Sequence, residues 1–272
     1  MKIAGIFMVK NEDVYIEQAI RNVVNFCDII YVDDNGSTDQ TPQIVAKLAD
    51  EFEHIHVRTI KDTIESNDNL VQYFGTDTWV FAVDGDELYD KDGLVRFRKR
   101  LEDGEFDKYW LIFGHAFHVH KFNSETKIAE GYLGPPCNVP SKLYNFSLIK
   151  DFPITNERLH GVPVFKDGGD AESKFIRIGE KCEWQDGDFR FVHTAFVQRT
   201  SQPHKQTRIF GFRLNPPQIY LLRKLWKEKG IVFALVRSAK LFIDILIGND
   251  SRKKRYSLGP RITKDVSDFF GR

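Results

Sequence analysis

Trp79-Val80-Phe81-Ala82-Val83-Asp84-Gly85-Asp86-Glu87 is an unbroken apolar run that ends in an acid, a glycine and two further acids. Five apolar residues closed by a polar turn read as a strand buried on both faces, the form an inner strand of a parallel sheet takes. Working back towards the N-terminus, His54 to Thr59, Ile29 to Val32 and Ile3 to Val9 read as three more strands. Helical periodicity separates them. Ile16, Ala19, Ile20, Val23 and Val24 line one helix face, and Ile44, Val45, Leu48 and Phe52 line another. Asn11 is expected to cap the first of these helices, and Thr41-Pro42 reads as a cap followed by proline at the first helical position. Thr63 to Gly75 predicts a short helix and Lys91 to Glu102 a longer one. Strands alternating with helices give an α/β fold, a Rossmann-like, mostly parallel sheet flanked by helices.

Past residue 107 the pattern changes. Lys108 to His118 reads as one long aromatic strand, and the chain up to about His193 as a mixed, loop-rich half with glycine and proline clusters. Pro216-Pro217 then introduces Ile219 to Lys229, and Ile231 to Ile247 is strongly apolar but carries Arg237, Lys240 and Asp244, which argues against a membrane span. Lysines at 224, 227 and 229 before it and Arg252, Lys253, Lys254 and Arg255 after it leave two readings open: a helix lying on an anionic membrane surface, or one packed on the domain. The expected organisation is one domain over 1–212, with halves 1–107 and 108–212, and a helical C-terminal extension over 213–272.

A chain of 272 residues can bury a substantial core. Its 39 basic and 39 acidic side chains cancel, so no overall field favours a nucleic-acid partner. Cys27, Cys137 and Cys182 are odd in number and widely spaced, which fits neither a disulfide framework nor a CxxC metal site; buried thiols in a reducing compartment are expected. The apolar start Ile3 to Val9 is too short for a signal-peptide core and runs into Lys10, Asn11 and Glu12. The expected location is therefore cytoplasmic, and peripheral to the membrane if the C-terminal segment lies on it.

Open parallel sheets bind ligands beyond the carboxyl ends of their strands, and two of these strands end in acids: Asp33-Asp34 and Asp84-Gly85-Asp86. The two clusters are expected to meet in one cleft. A carboxylate can accept from a base N–H or a ribose hydroxyl, and two carboxylates flanking a glycine can face a hydrated divalent ion. An Asp-x-Asp triplet alone is more often a solvated turn; its position directly after a buried strand is what gives it weight.

Three ordered blocks, Val9-Lys10-Asn11-Glu12, Ile16 to Val23, and Val32-Asp33-Asp34-Asn35-Gly36-Ser37-Thr38-Asp39-Gln40-Thr41, resemble the family 2 glycosyltransferases, clearly over about residues 1 to 100. The resemblance implies a GT-A fold with a mixed acceptor-binding half. It also implies inverting transfer from a nucleotide-sugar donor, a UDP-sugar being expected, to a hydroxyl of a glycan or lipid-linked acceptor, with Mn²⁺ or Mg²⁺ as cofactor and polysaccharide biosynthesis as the setting. The family's nucleotide-binding turn aligns with Asp34 to Asp39, so Asp34 is the expected base or ribose contact and Asp33 the second choice; Asn11, Glu12 and Gly85 complete the donor site. By the same resemblance Asp84 contacts ribose or metal and Asp86 is the principal metal ligand. Glu87 is a neighbouring supporting acid or a solvated residue. His193, in Phe191-Val192-His193-Thr194, resembles the late histidine that ligates metal or contacts the diphosphate; a histidine packed on a strand is the plainer reading.

In the second half, Ser141 to Phe146 followed by Asn156 to Gly161 resembles a strand preceding a His-Glu pair, with Asn156 where the histidine stands. Inverting transfer needs a carboxylate to take the acceptor's proton. Glu157 is the first candidate; it also reads as a surface glutamate paired with Arg158 or Lys142, and Asp151, Asp167, Asp170 and Asp188 are substitutes. Arg199, in Gln198 to Ser201, and Lys205 and Arg208 are candidate cations for the leaving diphosphate, the last two reading equally as an exposed helix face. Tyr109, Trp110, Phe113, Phe117, Tyr132 and Tyr144 offer a sugar-stacking wall, although most are expected in the core. A phosphotransferase carries its Asp-x-Asp after the first strand, and a sugar nucleotidyltransferase needs a glycine-rich basic loop there; neither pattern is present. The rival that stands is a non-catalytic nucleotide- or glycan-binding scaffold of the same fold.

Overall fold

A computed structural model describes residues 1–152, 159, 161–169, 171, 174–202, 207–209, 212–214 and 255–271. The chain divides into two compact units, Met1–Ser201 with Leu258–Arg272, and Gln202–Ser257. The division falls at 201/202 where the sequence suggested 212/213, and the last residues return to the first unit.

In chain order the strands of the first unit are β1 (Lys2–Val9), β2 (Ile29–Asp34), β3 (Ile55–Thr59), β4 (Thr78–Val83), β5 (Glu87–Tyr89), β6 (Leu111–Phe113), β7 (His115–Asn123), β8 (Ile128–Gly134), β9 (Ser141–Asn145), β10 (Ile149–Asp151), β11 (Val164–Phe165), β12 (Phe175–Arg177) and β13 (Arg190–His193). Strands β14 (Thr207–Ile209) and β15 (Phe212–Leu214) form an antiparallel pair in the second unit, and β16 (Ile262–Asp265) belongs to the first. The helices are α1 (Ile16–Val23), α2 (Thr41–Glu51) and α3 (Lys91–Glu102).

Seven strands form the larger sheet in the order β12-β6-β9-β4-β1-β2-β3. All its pairs are parallel except those of β9, which runs antiparallel to both β4 and β6. A smaller sheet of order β16-β8-β7-β13-β5 stands beside it. The chain passes from the large sheet to the small one three times, from β4 to β5, from β6 to β7 and from β12 to β13, and the first two passages turn at a glycine. The first passage is Asp84-Gly85-Asp86, between β4 and β5. The second is Gly114, which breaks the expected strand Lys108 to His118 into β6 and β7; a Cβ there would come within 3.0 Å of Phe191 and 3.1 Å of the Phe189 carbonyl.

An aromatic cluster welds the sheets together. Phe81 on β4 meets Tyr89 on β5 edge-on at 4.9 Å, Tyr89 stacks on Phe191 of β13 at 4.8 Å, and Phe97 of α3 stacks on Phe189 at 4.6 Å. All five rings are fully buried, and such pairs contribute roughly 0.5–1.5 kcal/mol each beyond their burial. Helix α3 starts where the Asp90 side chain accepts from the backbone N–H groups of Asp92 and Gly93, and Arg190 of β13 grips the same carboxylate at 2.8 Å.

The elements depart from the sequence reading in a few places. Asn11 does not cap α1, which begins at Ile16; Asn11 has φ 55° and lies in the loop before it. Thr41 is the first residue of α2 rather than its cap. Thr63 to Gly75 holds two 3₁₀ turns, Thr63–Asn67 and Val71–Tyr73, in place of one helix. Arg208 stands on β14 and not on a helix face, while Lys205 lies outside the described residues. The expected C-terminal helices lie outside them too, and within the described part of the extension β16 pairs with β8 while Phe269 packs on Trp184 at 5.3 Å. Among the described residues no helix is long and apolar enough to cross a membrane, and the three cysteines are free thiols. Of the aromatic wall, Trp110, Phe117 and Tyr144 are buried, as expected for core.

Candidate active site

Strands β1, β2 and β4 end side by side, with Val9 opposite Asp34 and Phe7 opposite Val83, so the segments that follow them share one edge of the sheet. The turn after β2 is tied down by its own acids. Asp34 accepts from the Ser37 hydroxyl at 2.5 Å and the Ser37 N–H at 3.1 Å. The same hydroxyl oxygen accepts from the Asn11 N–H at 2.9 Å, and the Asn11 side chain accepts from the Thr38 N–H at 2.7 Å. Gly36 supplies the positive φ of 67° that the turn needs. Asp39 accepts from the Thr41 N–H at 2.9 Å and the Thr200 hydroxyl at 2.8 Å. Burial would raise its pKa, but these bonds and one from the Asp13 N–H win and hold it below the ordinary carboxylate value.

Asp33 has a different environment. It is fully buried, its two oxygens facing Arg58 (Nε to Oδ1 2.6 Å, Nη2 to Oδ2 3.3 Å) and the Asn69 amide at 3.2 and 3.3 Å. Asp34, whose four lone-pair positions are not filled by Ser37 alone, is the acid of this pair with capacity left for a ligand.

The turn after β4 gathers acids against distant cations. Asp86 is 2% exposed; Arg199 Nη1 lies 2.8 Å from its Oδ2, and His193 Nε2 lies 3.9 Å from its Oδ1. The Asp86 carbonyl accepts from both the N–H and the hydroxyl of Thr194 at 2.9 Å, which pins this turn to the end of β13. Asp84 is half-exposed with Lys142 Nζ at 3.4 Å. Glu87 is completely buried and pairs with the same Lys142 nitrogen at 2.6 Å, which rules out its reading as a solvated residue. Burial pushes Glu87 up to about 8 against the pull of Lys142.

Glu12, from the loop after β1, completes the cluster. Its N–H donates to the Thr41 hydroxyl at 2.8 Å and its Oε1 lies 3.5 Å from Arg199. A Cβ at Gly85 would sit 2.5 Å from Glu12 Oε2, so a larger residue there would displace the Glu12 carboxylate. Burial first and Asp86 second raise the Glu12 pKa well above its ordinary value, and Arg199 only partly offsets them.

Glu12, Asp84, Asp86 and Glu87 thus face two cations among the described residues, Arg199 and Lys142; the pKa values of Glu12 and Glu87 are raised here, and a divalent cation would favour the charged forms of these acids. The donor types agree: a carboxylate oxygen and an imidazole nitrogen 3.9 Å apart leave a gap that bonds of about 2 Å can span. Among the described residues no group of three His, Cys, Asp or Glu donors is arranged to hold a metal, so the protein would offer Asp86 and His193 and leave other positions to a ligand.

His193 ends β13, and its partner in register on β7 is His118. The two Nδ1 atoms are 2.8 Å apart, and His118 Nε2 lies 2.9 Å from the Asn138 carbonyl oxygen. Burial lowers the pKa of both, His118 to about 2. Of the residues that sequence reasoning singled out, Glu12, Asp84, Gly85, Asp86 and His193 stand together after β4, Asn11 and Asp34 brace the turn after β2, and Asp33 faces Arg58 and Asn69. That reasoning missed Arg58 and His118 and took Lys142 for a surface partner of Glu157. Glu157, Asn156 and Asp170 lie outside the described residues. Of the other acids, Asp188 is taken by Arg96 at 2.7 Å and Arg100 at 3.2 Å, and Asp167 pairs with Lys174 at 2.5 Å.

A family model described as glycosyl transferase family 2 matches residues 6–157, or 152 of the 272 residues. An uncharacterized glycosyltransferase of Rickettsia bellii is 24% identical over 185 residues, which cover 66% of this chain and 58% of that protein. A second from Rickettsia conorii is 22% identical over 185 residues, covering 66% and 60%. The chain therefore spans about three fifths of the length of these relatives. Among solved structures, a mannosyltransferase from Pyrobaculum calidifontis in complex with GDP-Man and Mn²⁺ is 13% identical with a TM-score of 0.40, over 88% of this chain and 64% of that one. Glucosyl-3-phosphoglycerate synthase from Mycobacterium tuberculosis in complex with Mn²⁺, UDP and glucosyl-3-phosphoglycerate is 20% identical with a TM-score of 0.32, over 43% and 44%.

Proposed function

The chain belongs to glycosyltransferase family 2 and has the GT-A fold, and from that premise we propose that it moves a sugar from a nucleotide-diphosphate donor to a hydroxyl of a glycan or lipid-linked acceptor, with inversion. The observation that carries the reading is the buried Asp86 carboxylate held between Arg199 and His193 at the end of β4, on the sheet edge where the Asp34 turn also ends.

In this reading Asp34, braced by Ser37, accepts from the base or ribose of the donor, and Asp84 faces ribose or metal. Asp86 and His193 hold Mn²⁺ or Mg²⁺, which when bound would neutralise charge on the leaving diphosphate. Arg199 already sits on Asp86 and is poised to add a second positive charge on the same side. Burial and Asp86 raise the Glu12 pKa, which disfavours a further charge within the cluster. The acceptor's proton goes to a carboxylate of the second half, with Glu157 the first candidate. UDP is the expected donor base. Contact of the C-terminal extension with a membrane surface remains a proposal that rests on its lysine and arginine clusters alone.

The test is release of nucleoside diphosphate from a panel of UDP-, GDP- and dTDP-sugars, in Mn²⁺ and in EDTA, by the wild type and Asp86→Ala. Metal-dependent release from one donor that is lost in the variant supports the reading. Tight nucleotide binding with no release from any donor supports the scaffold alternative.

A further inference from the structure

The contacts of His118 with Asn138 and His193 together set an arrangement of protons. A carbonyl oxygen can only accept, so the 2.9 Å contact between His118 Nε2 and the Asn138 carbonyl requires a proton on His118 Nε2. With that proton on Nε2, the neutral ring of this completely buried histidine carries its lone pair on Nδ1. Two ring nitrogens 2.8 Å apart share one proton, which must then sit on His193 Nδ1 and point at His118. A neutral His193 with its proton on Nδ1 has the Nε2 lone pair on the opposite edge, and Nε2 is the atom 3.9 Å from Asp86 Oδ1.

We propose that His118 is a positioning residue: bound to the Asn138 carbonyl, it fixes His193 as the Nδ1–H tautomer and so presents the Nε2 lone pair on the Asp86 side, where a divalent cation is held. The link to the cation rests on the metal reading given above; the tautomer does not. Ligating histidines usually donate their second N–H to a carboxylate or a carbonyl. A carboxylate at position 118 would bring one more negative charge to a pocket that already holds Glu12, Asp84, Asp86 and Glu87, whereas a neutral imidazole accepts the same proton and adds none. Two glycines of β8 let that strand lie close against His118. A Cβ at Gly134 would lie 3.0 Å from its Nε2, and one at Gly131 would clash with its backbone carbonyl.

The experiment is long-range ¹H–¹⁵N correlation of the eight histidine rings in the metal-free, full-length protein, with His193 assigned by loss of its signals in His193→Gln. Mn²⁺ affinity is measured in parallel by electron paramagnetic resonance. The expected wild-type spectrum shows His193 neutral with its proton on Nδ1. His118→Phe should lose that fixed tautomer and weaken Mn²⁺ binding roughly ten- to a hundredfold. His118→Gln, whose amide can both donate to Asn138 and accept from His193, should restore much of each. A wild-type His193 protonated on Nε2, or a folded His118→Phe that keeps the Nδ1–H form, overturns the proposal; the wild-type spectrum decides it even if neither variant folds. If His193 shows the Nδ1–H form but Mn²⁺ does not bind the wild type, the relay stands and the metal reading falls.

Discussion

The two acidic turns at the edge of the large sheet use the same side chain for opposite purposes. After β2, Asp34 and Asp39 take hydrogen bonds largely from residues two or three positions on, and the acids act as braces that give the turn its shape. After β4, Asp84, Asp86 and Glu87 are matched to Lys142 and Arg199, which arrive from 58 and 113 residues away for Asp84 and Asp86. The first turn is braced mainly by its own sequence, with Asn11 and Thr200 added from outside it. The second exists as a charge cluster only once both sheets are in place, because β5 and β13, the strands beside it, belong to the smaller sheet.

The comparison is broken most severely by removing one of the distant cations. At pH 9, above the value of about 8 to which Glu87 is pushed, Lys142→Met leaves its carboxylate buried without a cation and should cost about 3–5 kcal/mol of stability in urea unfolding, while replacing both by apolar residues should recover much of the loss. Equal stability of wild type and Lys142→Met would mean that the acids of the second turn do not depend on that pairing. Next in size, Asp86→Ala should lower turnover on the order of 10²–10³-fold with the chain still folded, measured by nucleoside diphosphate release and circular dichroism. In the first turn, Ser37→Ala removes one donor to Asp34 and one acceptor for the Asn11 N–H. Its expected effect is smaller, about 1–2 kcal/mol in the same unfolding measurement.

A further effect is in pH. Glu87 rises from an ordinary 4.5 to about 8 in the folded chain, so the folded state keeps a proton that the unfolded state releases between those values. The stability this contributes is complete below about pH 4.5 and lost as the pH climbs through 8. The melting-temperature advantage of wild type over Glu87→Gln should therefore shrink across that window, and an advantage that grows with pH would show that Lys142 keeps Glu87 ionised throughout.

The same contrast explains what the sequence disclosed. Strands β1 to β4 and helices α1 to α3 were legible because each carries its signal locally: a closed apolar run, a 3.6-residue stripe, or Pro42 at the start of α2. The acids of both turns were legible for the same reason. The Lys142–Glu87 pair and the His118–His193 contact were not, since nothing near Lys142 or His118 distinguishes a buried partner from a surface or core residue until β9 and β13 are placed. The division of Lys108 to His118 between two sheets was hidden because aromatic residues fill both halves, and Gly114 was the available hint. The return of Leu258–Arg272 to the first unit was hidden behind 262–265, a strand with alternate residues exposed, which reads like a polar tail.

The central claim, that the Asp86 cluster binds a nucleotide diphosphate through a divalent cation, is tested most directly by thermal shift with UDP, GDP, dTDP and CMP, each in Mn²⁺ and in EDTA, on wild type and Asp86→Ala. The account expects one nucleoside diphosphate to raise the melting temperature only with Mn²⁺, and the rise to vanish in the variant. A shift of equal size in EDTA, or one that survives Asp86→Ala, would contradict it.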